Sequence, residues 1–370
     1  MKVLHVTYDM RIGGTEMVIK NIIEGSAGNN VEMSIFCIEE PLGPWGLSLK
    51  QNGISVTSYS RAPRFDFQLV RSLRRHIKRC GIDVVHCHQY TPWVYGALAS
   101  LGTKAKVIFT EHGRFYPDSS SWKRKVINPA LLRLTESVTA ISRATKVALR
   151  NFEYIPLNRI QVIYNGISPM ESDDSNKQRL RQSLGLPEQA KLIGTVARLD
   201  PIKNHTMMLH AFSSVLRSIP DAYLIIVGDG ETRDELESLS EKLKIAKRVI
   251  FVGYKTNPTA YIDLFDLFLL SSLSEGTSMT LLEAMSLSKV CVVTDAGGNP
   301  EIVEDNVTGL VVENDNPHLF SQAIIKLLSN TERKDEMAQN ARKRFDNHFD
   351  VSKMVTAYKD IYEKITPILH

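Results

Sequence analysis

Cysteine is scarce in this sequence. Four occur in 370 residues, Cys37, Cys80, Cys87 and Cys291, without paired spacing, so neither a disulfide framework nor a zinc ribbon is expected and all four read as buried thiols. Long apolar runs are missing too: no window reaches the roughly 18 uninterrupted apolar residues of a membrane span. Met1 to His5 leads straight into a strand pattern instead of a charged, then apolar, then small-residue leader, and the expected location is the cytoplasm. His86-Cys87-His88 sets two imidazoles on one strand face, but no third ligand lies near in sequence, so no metal is expected. The first glycine loop, Gly13-Gly14-Thr15-Glu16-Met17-Val18, lacks the later glycine of G-x-G-x-x-G. A dinucleotide cofactor is therefore not expected, although Glu39 falls near where a ribose-binding acid would stand.

What is present is a chain 43% apolar and 23% charged, long enough for two domains. Residues 1–166 carry 22 Lys and Arg against 12 Asp and Glu, and residues 167–370 carry 23 against 29. The first half is basic and the second mildly acidic. Short β-branched runs alternate with amphipathic stretches, the pattern of parallel sheets wrapped in helices. Strands are expected at 3–7, 32–38, 54–59, 84–87, 106–110, 138–141 and 160–163. Ser142 is placed to cap the helix after the sixth of these. The turn residues from Tyr164 to Pro169 and the polar run 171–176 mark a linker. A second series follows at 191–197, 222–227, 249–252, 267–270, 290–294 and 309–312. After Asn316 the pattern is helical, ending in an amphipathic stretch, 351–365, with Met354, Val355, Tyr358, Ile361 and Tyr362 on one stripe.

Three constellations carry chemistry. Gly13-Gly14-Thr15 opens the first helix, where backbone N–H groups can meet an anion or simply permit a tight turn. In the second half, a strand ends in Arg198, and after a turn Lys203 and Asn204 start a helix, which sets two cations at the sheet edge where open α/β folds bind ligands. A guanidinium and an ammonium together can neutralise a diphosphate. Finally, the loop and helix from Ser274 to Met285 hold Glu275 in a loop and Glu283 inside an apolar stretch, with Ser278 or Thr280 as cap. The amides of Gly276, Thr277, Ser278 and Met279 form a second anion site at a helix start.

The Glu, seven residues, Glu spacing, the strand Arg and helix Lys, and the early Gly-Gly together resemble retaining glycosyltransferases of family four. Thr110-Glu111-His112-Gly113, Ala140-Ile141-Ser142, the segment 162–167 and Val227-Gly228-Asp229-Gly230 add to the resemblance, which covers essentially the whole chain. It implies the α/β GT-B fold: two doubly wound, Rossmann-like parallel-sheet domains facing a central cleft. Residues 1–168 would bind the acceptor, 169–350 the nucleotide-sugar donor, and the helix 351–370 would return to the first domain. Arg198 and Lys203 would hold the donor diphosphate, Glu275 the transferred sugar and Glu283 the ribose. His112 would reach the sugar from the first domain, and Gly14 would supply a phosphate donor or leave room for sugar and acceptor. The base would lie near the loops carrying Asp229, Gly230 and Tyr254. The family mechanism is same-face attack, with a diphosphate oxygen taking the acceptor proton. No Asp-x-Asp stands at a strand end, so no metal and no other cofactor is expected, the two cations replacing the ion.

A basic helical stretch, 66–79, puts Leu69, Val70, Leu73 and Ile77 on one stripe among five cations. Either it rests on the inner face of an anionic membrane or it buries against its own sheet. An acceptor that is a glycan or lipid-linked suits a basic first domain and points to exopolysaccharide or lipopolysaccharide assembly. Nucleic acid is a poor partner, because no exposed aromatics interleave with the charge. The rivals are a nucleotide-sugar epimerase, a phosphorylase, or a nucleotide-sugar-binding protein without transferase activity.

Overall fold

The computed structural model describes residues 1–28, 30–113 and 121–366. The chain forms two units: Met1–Ser168 with the segment from Val351 onward, and Pro169–Asp350.

The first unit runs β1 (Lys2–Thr7), α1 (Gly14–Gly25), β2 (Glu32–Cys37), α2 (Pro44–Gln51), β3 (Ser55–Ser58), α3 (Phe67–Cys80), β4 (Val84–His88), α4 (Tyr90–Ser100), β5 (Lys106–Glu111), α5 (Trp122–Arg133), β6 (Ser137–Ala140), α6 (Arg143–Glu153) and β7 (Ile160–Val162). Its strands are parallel in the order β3-β2-β1-β4-β5-β6-β7. Side chains alternate across a strand, and the two faces of this sheet differ. Leu4, Val6, Val85, Cys87 and Phe109 enter an apolar core with Leu69, Leu73 and Ile77 of α3 and with Trp93, whose indole stacks on Phe109 at 4.3 Å. The opposite face carries His5, Thr7, His86, His88, Thr110 and Thr139, all buried. Register aligns His5 with His86, His88 with Thr110, and Thr110 with Thr139.

The second unit runs α7 (Asp174–Ser183), β8 (Lys191–Val196), α8 (His205–Ser218), β9 (Ala222–Val227), α9 (Arg233–Lys242), β10 (Val249–Gly253), α10 (Thr259–Leu264), β11 (Leu267–Leu270), α11 (Met279–Ser286), β12 (Val290–Thr294), α12 (Asn299–Ile302), β13 (Gly309–Val312), α13 (Pro317–Leu328) and α14 (Thr331–His348). Its parallel order is β10-β9-β8-β11-β12-β13. Ile193, Leu224, Leu267 and Val292 pack with Phe212 of α8 and Phe320 of α13. The order reverses between β8 and β11, so the loops leaving these neighbours diverge to opposite faces and open a crevice at their carboxyl ends.

The last helix, α15 (Val351–Ile365), belongs to the first unit and buries Met354, Val355, Tyr358, Ile361 and Tyr362. A side chain at Gly25 would sit 2.8 Å from Val355, so that glycine lets α1 and α15 close together. The tyrosines meet the polar face of the sheet: Tyr362 hydrogen-bonds His86 at 2.8 Å, and Tyr358 lies 3.4 Å from the Thr110 hydroxyl.

Of the two readings of the basic stretch, the structure takes the second. Leu69, Leu73 and Ile77 lie in the core, Asp66 caps α3 through Gln68 N and Leu69 N, and Arg71, Arg75, Lys78 and Arg79 are exposed, while half-buried Arg74 donates to Leu98 O and Ala99 O. Exposed apolar residues include Phe67 at the start of α3 and Trp122, Val126 and Ile127 on α5. Among the described residues no helix is long and apolar enough to cross a membrane.

Candidate functional site

Lys203 and Glu275 come from the two loops at the strand-order reversal of the second unit. The Lys203 ammonium donates to Glu275 Oε1 at 2.6 Å, and the Ser272 hydroxyl donates to the same oxygen at 2.6 Å. Lys203 does not start a helix: it ends a 3-10 turn, Pro201–Lys203, and Asn204, with φ of 50°, caps α8 through Met207 N. The turn is locked to β11, since Leu273 N donates to Ile202 O at 2.8 Å and the Ser271 hydroxyl to Lys203 O at 2.7 Å.

Arg198 stands in the loop after β8, 80% exposed, and pairs with Asp200 at 2.9 Å, not with Glu275. Asp200 is a residue the sequence reasoning passed over. It holds the guanidinium and also caps the turn to Lys203 through its Oδ1, a role that Asp immediately before Pro201 signals. A diphosphate would have to draw Arg198 from a flexible surface pair worth at most about 1 kcal/mol.

Neighbouring loops set the geometry by close backbone approach. At Gly228, φ 144°, an added Cβ would lie 1.9 Å from Ala197 O; at Gly230 it would lie 2.3 Å from Leu199 O. Asp229 O accepts Leu199 N at 3.0 Å. Asp229 and Gly230 thus support the Arg198 loop, and the Asp229 carboxylate approaches Arg233 at 3.5 Å. Tyr254, 53% exposed, follows β10 at the same sheet edge, joined to the Gly228 loop through Gly228 N donating to Gly253 O. The loop after β12 does the same for Glu275: Gly298 N donates to Glu275 O at 3.0 Å, and a Cβ at Gly297 would lie 1.9 Å from that oxygen. The Gly297-Gly298 pair, three residues past the end of β12, was a readable signal for this support.

Gly276 and Thr277 lead into α11, which starts at Met279, and Ser278 caps it by accepting from Leu281 N at 3.4 Å. Glu283 in that helix is buried, and its Oε2 has no hydrogen-bond partner among the described residues. Burial pushes its pKa up to about 7. A carboxylate held dry and unpartnered at a sheet edge is set to receive hydroxyl donors, because an unmet buried acceptor costs free energy.

Two candidates lie in the first unit. Gly14 is the first residue of α1, and a Cβ there would meet nothing within 4 Å among the described residues, so open space faces its backbone. His112 follows β5, half-buried. Its Nε2 bonds His88 Nδ1 at 2.8 Å, and its Nδ1 is enclosed without a partner among the described residues. Burial lowers its pKa to about 3, which keeps the ring neutral. The third imidazole missing near His86 and His88 in sequence is supplied by β1: ligand atoms of His5, His86 and His88 lie within 4.8 Å of one another. Both nitrogens of His86 are already engaged, by Tyr362 and by Thr110 at 2.7 Å.

Family models match most of both units. The model of Glycosyltransferase Family 4 matches residues 12–171, and that of Glycosyl transferases group 1 matches 176–344. The chain belongs to the family-four glycosyltransferases, with the GT-B fold. It is similar to N-acetyl-alpha-D-glucosaminyl L-malate synthase of Bacillus anthracis, at 27% identity over 322 residues, covering 84% of this chain and 82% of that one. It is also similar to UDP-Gal:alpha-D-GlcNAc-diphosphoundecaprenol alpha-1,3-galactosyltransferase of Escherichia coli, at 26% identity over 379 residues, covering 98% and 96%. Among solved structures, a glycosyltransferase of Rickettsia africae has a TM-score of 0.90 at 21% identity, covering 99% of each chain. HepE of Anabaena in complex with UDP has a TM-score of 0.87 at 23% identity, covering 98% of this chain and 100% of that one.

Proposed function

We propose that this glycosyltransferase moves a hexosyl group from a UDP-linked sugar to a glycan or lipid-linked acceptor in bacterial surface-polysaccharide assembly, with retention at the anomeric carbon and without a divalent metal. The observation that carries the reading is the Lys203–Glu275 pair at the strand-order reversal, with Arg198 on the adjoining loop. Uridine is favoured because the Escherichia coli relative is named for UDP-Gal and HepE has been solved with UDP and with UDP-glucose.

In this reading the Lys203 ammonium, parked on Glu275 in the free protein, turns to a phosphate oxygen, and Arg198 leaves Asp200 to join it. Glu275 then takes sugar hydroxyls, Glu283 takes the ribose hydroxyls, and the amides of Gly276 to Met279 complete the anion site. Gly14 leaves its backbone open to the donor, and His112 serves the sugar. Breaking the anomeric bond builds positive charge on the sugar and negative charge on the diphosphate. Cations already in place at those oxygens lower the barrier, the work a metal would otherwise do. The freed diphosphate oxygen takes the acceptor's proton on the same face.

For the acceptor side, the exposed Trp122, Val126 and Ile127 of α5 stand beside exposed Lys123 and Lys125. We read this as a contact with anionic lipid, where aromatic and basic residues combine.

The test is a thermal-shift series with UDP, GDP and their hexose conjugates, followed by UDP release in the presence of a chelator. UDP and one UDP-sugar should raise Tm, since a ligand at 100 times its Kd stabilises by about 2.7 kcal/mol, and GDP should not. Arg198→Ala and Lys203→Ala should each lower release roughly 100- to 1000-fold. Unchanged turnover in both variants would remove the donor site as drawn, and conversion of one UDP-sugar to its epimer would favour the epimerase.

A further inference from the structure

The polar face of the first sheet holds a row of imidazoles that the donor chemistry leaves unused. His5 Nδ1 lies 2.9 Å from His88 Nε2, and His88 Nδ1 lies 2.8 Å from His112 Nε2. At each end one nitrogen is enclosed without a partner among the described residues, Nε2 of His5 and Nδ1 of His112. His5 and His88 are fully buried.

A neutral imidazole has one N–H and one lone pair. Three neutral rings joined head to tail therefore admit only two proton arrangements, because each shared position needs one donor and one acceptor. Burial opposes a further proton on the row, lowering the pKa of His5 and of His112 to about 3. The two arrangements differ at their ends. One leaves a buried N–H on His5 with no acceptor. The other leaves a bare lone pair on His5 and puts the N–H on His112. Either way one N–H is left without a partner among the described residues; on His5 it would be fully buried, whereas His112 is only half-buried after the end of β5, so the unmet N–H costs less there, which selects the second.

We propose that His5 and His88 are positioning residues that hold His112 as a neutral ring with its proton on Nδ1, presented as a hydrogen-bond donor. Its use rests on the reading that His112 serves the donor sugar. A neutral donor can bind a sugar hydroxyl without repelling the positive charge that develops at the anomeric carbon, as an imidazolium would.

The experiment is long-range 1H–15N correlation on the full chain labelled with 15N-histidine at pH 7.5, with His112 assigned by its loss in His112→Gln. The expected spectrum shows His112 protonated at Nδ1 and bare at Nε2, and His5→Phe lets the opposite arrangement appear at His88 and His112. A wild-type His112 that is charged, or protonated at Nε2, overturns the proposal. This readout needs no turnover. With UDP-galactose as probe, His88→Gln should lower UDP release at least ten-fold at unchanged KM, as should His112→Gln. Full turnover in His112→Gln would instead sink the donor-sugar role of His112, leaving the tautomer assignment to stand on the spectra.

Discussion

Glu283 sets stability against the role proposed for it. Its pKa rises from 4.5 to about 7 because burial penalises the charged form. Between those values the folded chain binds more protons than the unfolded one, so stability falls as pH rises through that window. At 1.36 kcal/mol per unit, the buried charge costs on the order of 3 kcal/mol above pH 7. Glu283→Gln should therefore raise Tm at pH 8 by several degrees and much less at pH 5, while weakening UDP binding through loss of a ribose acceptor. A gain of equal size at both pH values would show that the carboxylate is not charged in its burial. The position was readable because a Glu inside an apolar run needs a reason. Its missing partner was not, since only packing decides which oxygen is left alone. Arg198 taught the converse: its charge was legible, while its pairing with Asp200 depended on a turn.

At the scale of elements, glycines divide into those that serve contact with a ligand and those that serve the fold. Gly14 faces open space with ordinary φ, whereas Gly297, φ 54°, lies against Glu275 O. Gly14→Ala should leave Tm within about 1 °C and yet cut UDP release strongly, by intruding where donor or acceptor approaches. Gly297→Ala should lower Tm by several degrees, because backbone, not a flexible side chain, blocks the new methyl and a left-handed φ strains it, on the order of 1–3 kcal/mol. Circular dichroism melts beside turnover separate the two, and a stable Gly297→Ala with full activity would refute the support assigned to that loop. Strands were the most legible elements, because a strand buried on both faces reads as a short β-branched run. Val84-Val85-His86-Cys87-His88 hid its second face, since nothing local tells that His5 lies beside His86.

For the whole molecule, charge decides the partner. The basic first half and the exposed apolar residues of α5 predict flotation with liposomes containing anionic phospholipid at low salt and release at high salt, as screening shortens the reach of surface charge to about 8 Å near 0.15 M. Trp122→Ala should weaken flotation at low salt without altering UDP binding. Binding that ignores both salt and lipid charge would remove the membrane contact.

Local physics made much of this protein readable from its residues alone: strand runs, the Ser142 cap, the loop acids and cations, and the order of motifs that marks family four, because periodicity, capping and turn chemistry act over a few neighbouring positions. The fold alone decided what meets across long stretches of chain: Lys203 on Glu275, Tyr362 on His86, and the row from His5 through His88 to His112. Each of these depends on which strands become neighbours, and strand order is settled by packing a whole sheet between its helices.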